Sequence, residues 1–291
     1  MISRKSHTRI TLALDIIRKL DSGPFKGYHE LAIIKHQIAL NDILHVKPSP
    51  KLNIRCDHPY VPCDERNICW KAVELVKNRF GIDENVDIQI EKHIPVMGGM
   101  AGGSANAATM LQILDELWSL NLSTEQLSEL GRDLGMDVPF FFRGGTAFDS
   151  ESTGVLEPIP TNLKLHFVLA IPEFGVSTKD AYSSLDYSVT GKRTVSTSDL
   201  KAGLKSDNLE LVAQNMHNDF EDSVFVRFSR LREIRNSLLK AGCLSAVMSG
   251  SGSTLLGVVG SEAEAEKVAC SIDCQTIVTQ TLNGGSQHSG V

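Results

Sequence analysis

The sequence predicts a mixed α+β protein built as two domains, and three observations carry that expectation. Val86, Ile88 and Ile90 alternate with Asp87, Gln89 and Glu91, the period of a half-buried strand, and just downstream Ala107, Met110, Leu111, Leu114, Leu117 and Trp118 recur at helical spacing. At 291 residues the chain exceeds the usual single domain. The composition turns polar in "DSESTGVLEPIP" (149–160) before the apolar "KLHFVLAIP" (164–172) begins a new buried strand. A boundary near residue 160 follows, with domains over 1–160 and 161–282, and "NGGSQHSGV" (283–291) as a disordered tail.

In chain order, "RITLAL" (9–14) reads as a strand, and "YHELAIIKHQIALNDILHV" continues in β-rich segments to a proline-containing stretch. Asp64 is placed to cap a helix whose apolar side carries Trp70, Val73, Val76 and Phe80, with Gly81 as its stop. The strand through Ile90 then enters a glycine-rich loop and the helix of Leu111 and Leu114. Ser123 and Gln126 form a capping-box pattern for a further helix with Leu127, Leu130 and Leu134, and "DVPFFFRGGTAF" returns to strand and turn. Beyond residue 160 come helices around 198–240, the strand-turn "SAVMSGSGSTLLGVV", the amphipathic "SEAEAEKVACSI" and a final strand "QTIVTQTL".

Composition excludes several classes of function. With 42% hydrophobic and 22% charged residues and a net charge of −6, the chain lacks the basic balance of a nucleic-acid or anionic-membrane binder. It has no run of eighteen apolar residues, and its basic N-terminus lacks a long apolar stretch, so a cytoplasmic protein is expected. Six cysteines without any C-x-x-C spacing are read as reduced thiols without a role.

The most informative stretch is "IPVMGGMAGGSANAATML" (94–111). Backbone N–H groups approach an anion closely only where no Cβ intervenes, and the start of a helix adds a favourable dipole, so a phosphate site is expected here. It is neither a Walker A loop, since Ser104 and Ala105 stand where lysine and Ser/Thr are required, nor a G-x-G-x-x-G fingerprint. Loop glycines that serve only close helix packing are the competing explanation.

Taken together, "RITLAL", the glycine loop and "MSGSGSTLLGV" (248–258) resemble the GHMP kinase superfamily. The segments "GYHEL" (27–31), "DERNICWKAVEL" (64–75), "LGMDVPFFFRGGTAF" (134–148), "FGVSTKDAY" (174–182) and "NDFE" (218–221) look like the 4-diphosphocytidyl-2-C-methyl-D-erythritol kinase family within it. The resemblance covers about residues 9–258. It implies an N-terminal domain like ribosomal protein S5 domain 2, a ferredoxin-like C-terminal domain, and transfer of the ATP γ-phosphate to the 2-hydroxyl of a cytidine diphosphate substrate in isoprenoid precursor synthesis, by a monomer or homodimer.

Residue by residue, the resemblance makes Asp137 the base that takes the hydroxyl proton. It places Pro95, Gly98, Gly99, Met100, Ala101, Gly102, Gly103 and Ser104 around the ATP phosphates, with Ser104 a partner for phosphate or Mg²⁺, and Asn67 and Lys92 in the nucleotide pocket. Tyr28 and Tyr182 would sandwich the cytosine, with His29 and Thr178 as polar contacts. The family pattern P-A-K-x-N-L is altered here: Arg9 stands for its lysine and Thr11 for its asparagine. Arg9 keeps the charge beside Asp137, but its planar fork does not fill the site of a compact ammonium unchanged. Another GHMP small-molecule kinase, or a catalytically weakened nucleotide-binding relative, remain the alternatives.

Overall fold

The computed structural model describes residues 1–22, 26–150, 155–186, 188, 190–191 and 195–282; the expected disordered tail, 283–291, lies outside the described residues. Its backbone is organised by one long hairpin, β1 (Ile2–Lys19) and β2 (His29–Ser49), paired from Ile2↔Val46 to Lys19↔His29. β1 runs well beyond the apolar segment legible in the sequence, whereas β2 keeps close to the β-rich stretch expected there. From Thr8 to Leu14 every residue of β1 is buried, so the in-out alternation that marks a half-exposed strand is lost where the strand is covered on both faces. The register shifts between His7 and Arg9 and again between Thr11 and Ala13. Such irregularities re-aim side chains, and these two bracket Arg9 and Thr11.

The first sheet has seven strands in the order β3-β4-β2-β1-β8, with β5 paired to β2 and to β6. Here β3 is Asn53–Cys56, β4 Asn85–Glu91, β5 Thr146–Asp149, β6 Leu156–Pro158 and β8 His217–Asn218. Helices α1 (Ile68–Phe80), α2 (Gly102–Leu117) and α3 (Thr124–Leu134) cover one face. Their apolar sides, Val73, Val76, Met110, Leu111 and Leu114, form one buried cluster with Leu44, Val46, Ile88 and Ile90. The cap of α1 is Asn67, whose side chain accepts from Cys69 N at 2.9 Å, not Asp64. Asp64 instead forms the turn before it, accepting from Arg66 N at 3.0 Å through its carboxylate and from Asn67 N at 2.9 Å through its carbonyl. Gly81 ends α1 at φ 66°, a left-handed conformation that favours glycine. Where strand and turn were expected after Asp137, a helical turn, α4 (Phe140–Arg143), precedes β5, because Phe140 and Phe141 are drawn into the same core.

The second sheet is antiparallel in the order β11-β7-β10-β9, from β7 (His166–Ile171), β9 (Ser245–Met248), β10 (Leu255–Val259) and β11 (Gln275–Gln280). Between β7 and β9 run α5 (Thr178–Ser183), α6 (Thr197–Lys205), α7 (Leu209–Asn215), α8 (Phe220–Arg227) and α9 (Ser229–Lys240); α10 (Glu262–Ala269) joins β10 to β11. The strands thus follow a β-α-β-β-α-β path, the ferredoxin-like arrangement. Ile10, Leu12, Ile34 and Ile38 of the hairpin share a buried cluster with Phe167, Leu169, Leu256 and Val258, which welds the second sheet onto the first. Among the described residues no helix is long and apolar enough to cross a membrane.

The capping box of α3 is present: Ser123 Oγ accepts from Gln126 N at 3.3 Å, and Gln126 Oε1 accepts from Ser123 N at 2.8 Å. Ser123→Ala is expected to lower stability by about 1 kcal/mol, read as a shift in the urea midpoint, because one orphan N–H of the first turn loses its acceptor.

Candidate functional site

An open cavity of about 660 Å³ lies where the middle of the hairpin, the loop before α2, the segment before α4 and the β9–β10 turn converge. That is within the usual range for a small-molecule site. Its floor is the glycine loop. Ala101 caps α2 at φ 54° with no side-chain hydrogen bond to the helix, and Met97 also sits at positive φ, 57°. The first N–H groups of α2 are therefore not claimed by a cap, and Gly102, Gly103 and Ser104 face the cavity. Gly99, at φ 71°, is where two backbones cross: a Cβ there would lie 2.1 Å from Ser249 O and 2.9 Å from Gly252 O. A Cβ on Gly102 would meet Ile94 Cγ2 at 2.8 Å, so that glycine serves packing, whereas at Gly103 the nearest atom is 3.8 Å away. Pro95, Gly98 and Met100 also border the cavity, although the Met100 side chain is buried in the intersheet core.

Beneath the loop sits a polar hub that the sequence reading missed. Asp42, fully buried on β2, accepts from His93 N and Ile94 N at 2.8 Å each and from Asn106 Nδ2 at 2.9 Å, and pairs with Lys92 Nζ at 3.0 Å. Lys92 also donates to Ile94 O. Burial lowers the Lys92 pKa, with Asp42 acting against the shift. Lys92 and Asn67 both border the cavity, but their polar groups are already engaged within the protein: Asn67 caps α1 and donates to Pro62 O at 2.7 Å.

At the cavity wall stands a cluster of four charges. Arg9 Nη2 donates to Asp137 Oδ2 at 2.7 Å and Nε to Oδ1 at 3.3 Å, while Nη1 donates to Gly99 O at 2.9 Å and Thr11 Oγ1 at 3.2 Å. Lys35, absent from the sequence-level candidates, places Nζ 2.6 Å from Asp137 Oδ1 and 2.7 Å from Asp149 Oδ2. Register explains the meeting: Lys35 is directly opposite Thr11 on β1 and Ala147 on β5, so Arg9, Thr11, Lys35 and Asp149 share one face of the sheet. Asp137 keeps 21% of its side chain exposed and borders the cavity, as Arg9 does. Burial on its own would raise the Asp137 pKa, but the charges and hydrogen bonds of Arg9 and Lys35 prevail and hold the carboxyl well below the usual carboxylate range.

The opposite wall carries Thr178 and Tyr182. Thr178 Oγ1 is 3.2 Å from Ser251 Oγ, which links α5 to the β9–β10 turn. His29 stacks on Tyr182 at 4.6 Å between ring centroids, Phe220 meets Tyr182 edge-on at 4.9 Å, and Tyr28, the neighbour of His29 in sequence, is 60% exposed. The segment "NDFE" acquires a clear task. Asn218 Nδ2 donates to Met248 O and Gly250 O at 2.7 Å each, Asp219 Oδ2 accepts from Ile16 N at 2.8 Å, and Glu221 Oε1 accepts from Met248 N at 2.7 Å. Together they fasten the β9–β10 turn against β1.

Comparison with known proteins agrees with this architecture. Residues 67–145 match the family described as GHMP kinases N terminal domain, and residues 200–277 that described as GHMP kinases C terminal. A protein of Acetivibrio thermocellus named 4-diphosphocytidyl-2-C-methyl-D-erythritol kinase is 36% identical over 289 residues, spanning 97% of this chain and 99% of its own length. One of the same name from Clostridium botulinum (strain Kyoto / Type A2) is 38% identical over 255 residues, 87% of this chain and 89% of its own. A crystal structure of 4-(cytidine 5'-diphospho)-2C-methyl-D-erythritol kinase superposes with a TM-score of 0.79 at 26% identity, covering 97% of this chain and all of that one, 100%. Homoserine kinase from Cytophaga hutchinsonii shares the fold at a TM-score of 0.70 and 18% identity, over 97% of this chain and 95% of that one.

The crossing at Gly99 yields a direct test. Gly99→Ala is expected to lower stability by more than roughly 1 kcal/mol, because alanine is strained at that φ and its methyl would force the two loops apart. Differential scanning calorimetry against the unsubstituted chain reads the shift, and an unchanged transition would mean that the loops do not cross as closely as described.

Proposed function

The chain belongs to the GHMP kinase family and is an ATP-dependent kinase acting on an alcohol, and we propose that this alcohol is the 2-hydroxyl of 4-diphosphocytidyl-2-C-methyl-D-erythritol, phosphorylated in the cytoplasm on the non-mevalonate route to isoprenoid precursors. The observation that carries the reading is that one cavity is bordered both by the uncapped start of α2 and by Asp137. Donor and acceptor thus have adjoining places. The proposed division of labour assigns nucleotide binding to residues 1–160, while residues 161–282 supply Thr178, Tyr182 and the β9–β10 turn.

In this reading the N–H groups of Gly102, Gly103 and Ser104 hold the ATP phosphates, as an unclaimed helix start holds an anion. Mg²⁺ takes oxygen ligands and usually relies on substrate phosphates and water, with few protein groups. The cavity fits that habit. Ser104 Oγ borders it, Asp137 is taken by two cations, and among the described residues no group of three or more His, Cys, Asp or Glu is placed to hold a metal. Ser104 would hold the ion alongside the phosphates, and the ion would offset their charge.

Asp137 is the proposed acceptor of the hydroxyl proton. Held below the usual range by two cations, its carboxylate is a weak base, suited to a reaction whose transition state is loose and in which the proton leaves late. Arg9 offers five N–H groups, of which two go to Asp137, one to Thr11 and one to Gly99 O; the remaining Nη2 hydrogen is available to the transferring phosphoryl group. Replacing lysine by arginine has therefore not emptied the reaction centre, which argues against a weakened relative. The stacking of His29 on Tyr182 brings two of the proposed cytidine contacts together.

A coupled ADP-release assay over a panel of acceptors tests the reading, with highest turnover expected on the cytidylylated methylerythritol; turnover confined to mevalonate, homoserine or a sugar would displace it. On the preferred acceptor, Asp137→Asn is expected to reduce kcat by roughly 10²- to 10⁴-fold while ATP affinity is retained, since the amide keeps the shape but not the proton acceptor.

The acceptor wall gives a finer test. Tyr182→Ala, at the cavity border, and Tyr28→Ala are each expected to raise KM for the cytidine acceptor by the equivalent of roughly 1 to 3 kcal/mol. Equal and negligible changes in both would detach the aromatics from base recognition.

A further inference from the structure

The charge cluster contains an ion pair that the proposed chemistry does not call upon. Lys35 is 0% exposed and does not border the cavity, yet its ammonium lies between two carboxylates, those of Asp137 and Asp149. Removing an ammonium and a second carboxylate from water is costly, and an apolar pair of similar volume generally serves stability as well or better. A contribution to stability alone therefore leaves the pair unexplained. The contact that leads from Lys35 toward the reaction centre is the one to Asp137 Oδ1.

We propose that Lys35 is a positioning residue for phosphoryl transfer: its ammonium, anchored by Asp149, clamps Oδ1 of Asp137 so that Oδ2 is the oxygen turned toward the acceptor hydroxyl. The distances distribute the work in this way. Oδ1 receives Lys35 at 2.6 Å and only a long bond from Arg9 Nε at 3.3 Å, whereas Oδ2 receives Arg9 Nη2 at 2.7 Å. Without Lys35, Oδ1 is the more weakly held oxygen, because Arg9 reaches it only through the long Nε bond while Nη1 is committed to Gly99 O and Thr11. Lys35 on β2 supplies the second fixed point, and Asp149 on β5 holds the ammonium from behind. Among the described residues the charged groups that face Asp137 are thus Arg9 from β1 and Lys35 from β2, with Asp149 of β5 reaching it through Lys35. The inference rests on the reading of Asp137 as proton acceptor.

The test is the double substitution Lys35→Met with Asp149→Leu, which removes the ion pair as a unit. Steady-state kinetics are measured with ATP and whichever acceptor the unsubstituted chain phosphorylates fastest. The folded double variant is expected to keep its KM for ATP, to lose roughly 10- to 100-fold in kcat as the carboxylate wanders from its productive setting, and to show the acid limb of kcat/KM moved to higher pH, since Asp137, half-buried at the cavity wall, loses one of two cations. A folded double variant with unchanged kcat and an unmoved acid limb would reduce Lys35 to a structural ion pair and overturn the proposal. Should the double variant not fold, Lys35→Gln removes the charge while keeping a shorter amide donor, and an unmoved limb there overturns it equally. If the unsubstituted chain phosphorylates no acceptor, it is the functional reading that fails; the Asp137 carboxyl, titrated by ¹³C NMR in both proteins, then decides whether Lys35 controls it.

Discussion

The guanidinium of Arg9 is the contact on which the rest of the cavity depends. It joins three pieces of backbone far apart in sequence: its own strand through Thr11, the glycine loop through Gly99 O and the segment before α4 through Asp137. A Cβ on Gly250, in the turn between β9 and β10, would lie 3.7 Å from Arg9 Nη1, so a fourth piece packs on the same group. A planar cation with donors in a fixed fork suits this work because each partner is held at its own angle. The two breaks in β1 register on either side of Arg9 and Thr11 set the fork's direction before any partner arrives.

Around this contact the two sheets act as one body. The hairpin contributes Ile10, Leu12, Ile34 and Ile38 to the intersheet core, and "NDFE" ties β1 to the turn after β9. The Gly99 crossing then brings that turn onto the phosphate loop at van der Waals limits. Such packing leaves little room for the loop to drift, and preorganisation of this kind is what places phosphate donors and a proton acceptor within one reaction distance.

Much of this was legible locally. The strand ending at Glu91, the glycine loop and α2 are adjacent in sequence and follow one another in the structure as their periodicities predict, and Gly81 and Ser123 mark helix ends through chemistry confined to a few residues. What escaped was set by distant neighbours. Lys35, in "IIKHQI", reads as a polar position in a strand; only the pairing with Thr11 and Ala147 turns it inward to two carboxylates, one of them 114 residues away. Asp42 reads as one polar position in the β-rich segment, and its role under the glycine loop depends on His93, Ile94 and Asn106. Asp64 and Asn67 are both good caps on local grounds, and the core contacts of α1 select the later one. The mutual placement of Tyr28, His29 and Tyr182 depends on how α5 docks on the end of β2, which no local pattern encodes.

The family pattern places one cation on β1 beside Asp137, and the structure contains two. An ammonium stands 2.6 Å from Asp137 after all, delivered from β2 and balanced by Asp149, while β1 carries the fork. The two positions are consequently interdependent. A lysine at position 9 would bring one compact head group with three donors to a site where four hydrogen bonds now run in fixed directions, and it would sit beside the ammonium of Lys35 without the guanidinium's reach to Gly99 and Thr11. An arginine without Lys35 would tie the loops together but hold Oδ1 of the carboxylate only through the long 3.3 Å bond from Nε. Arg9, Lys35 and Asp149 act together across three strands to hold the charge and orientation of Asp137.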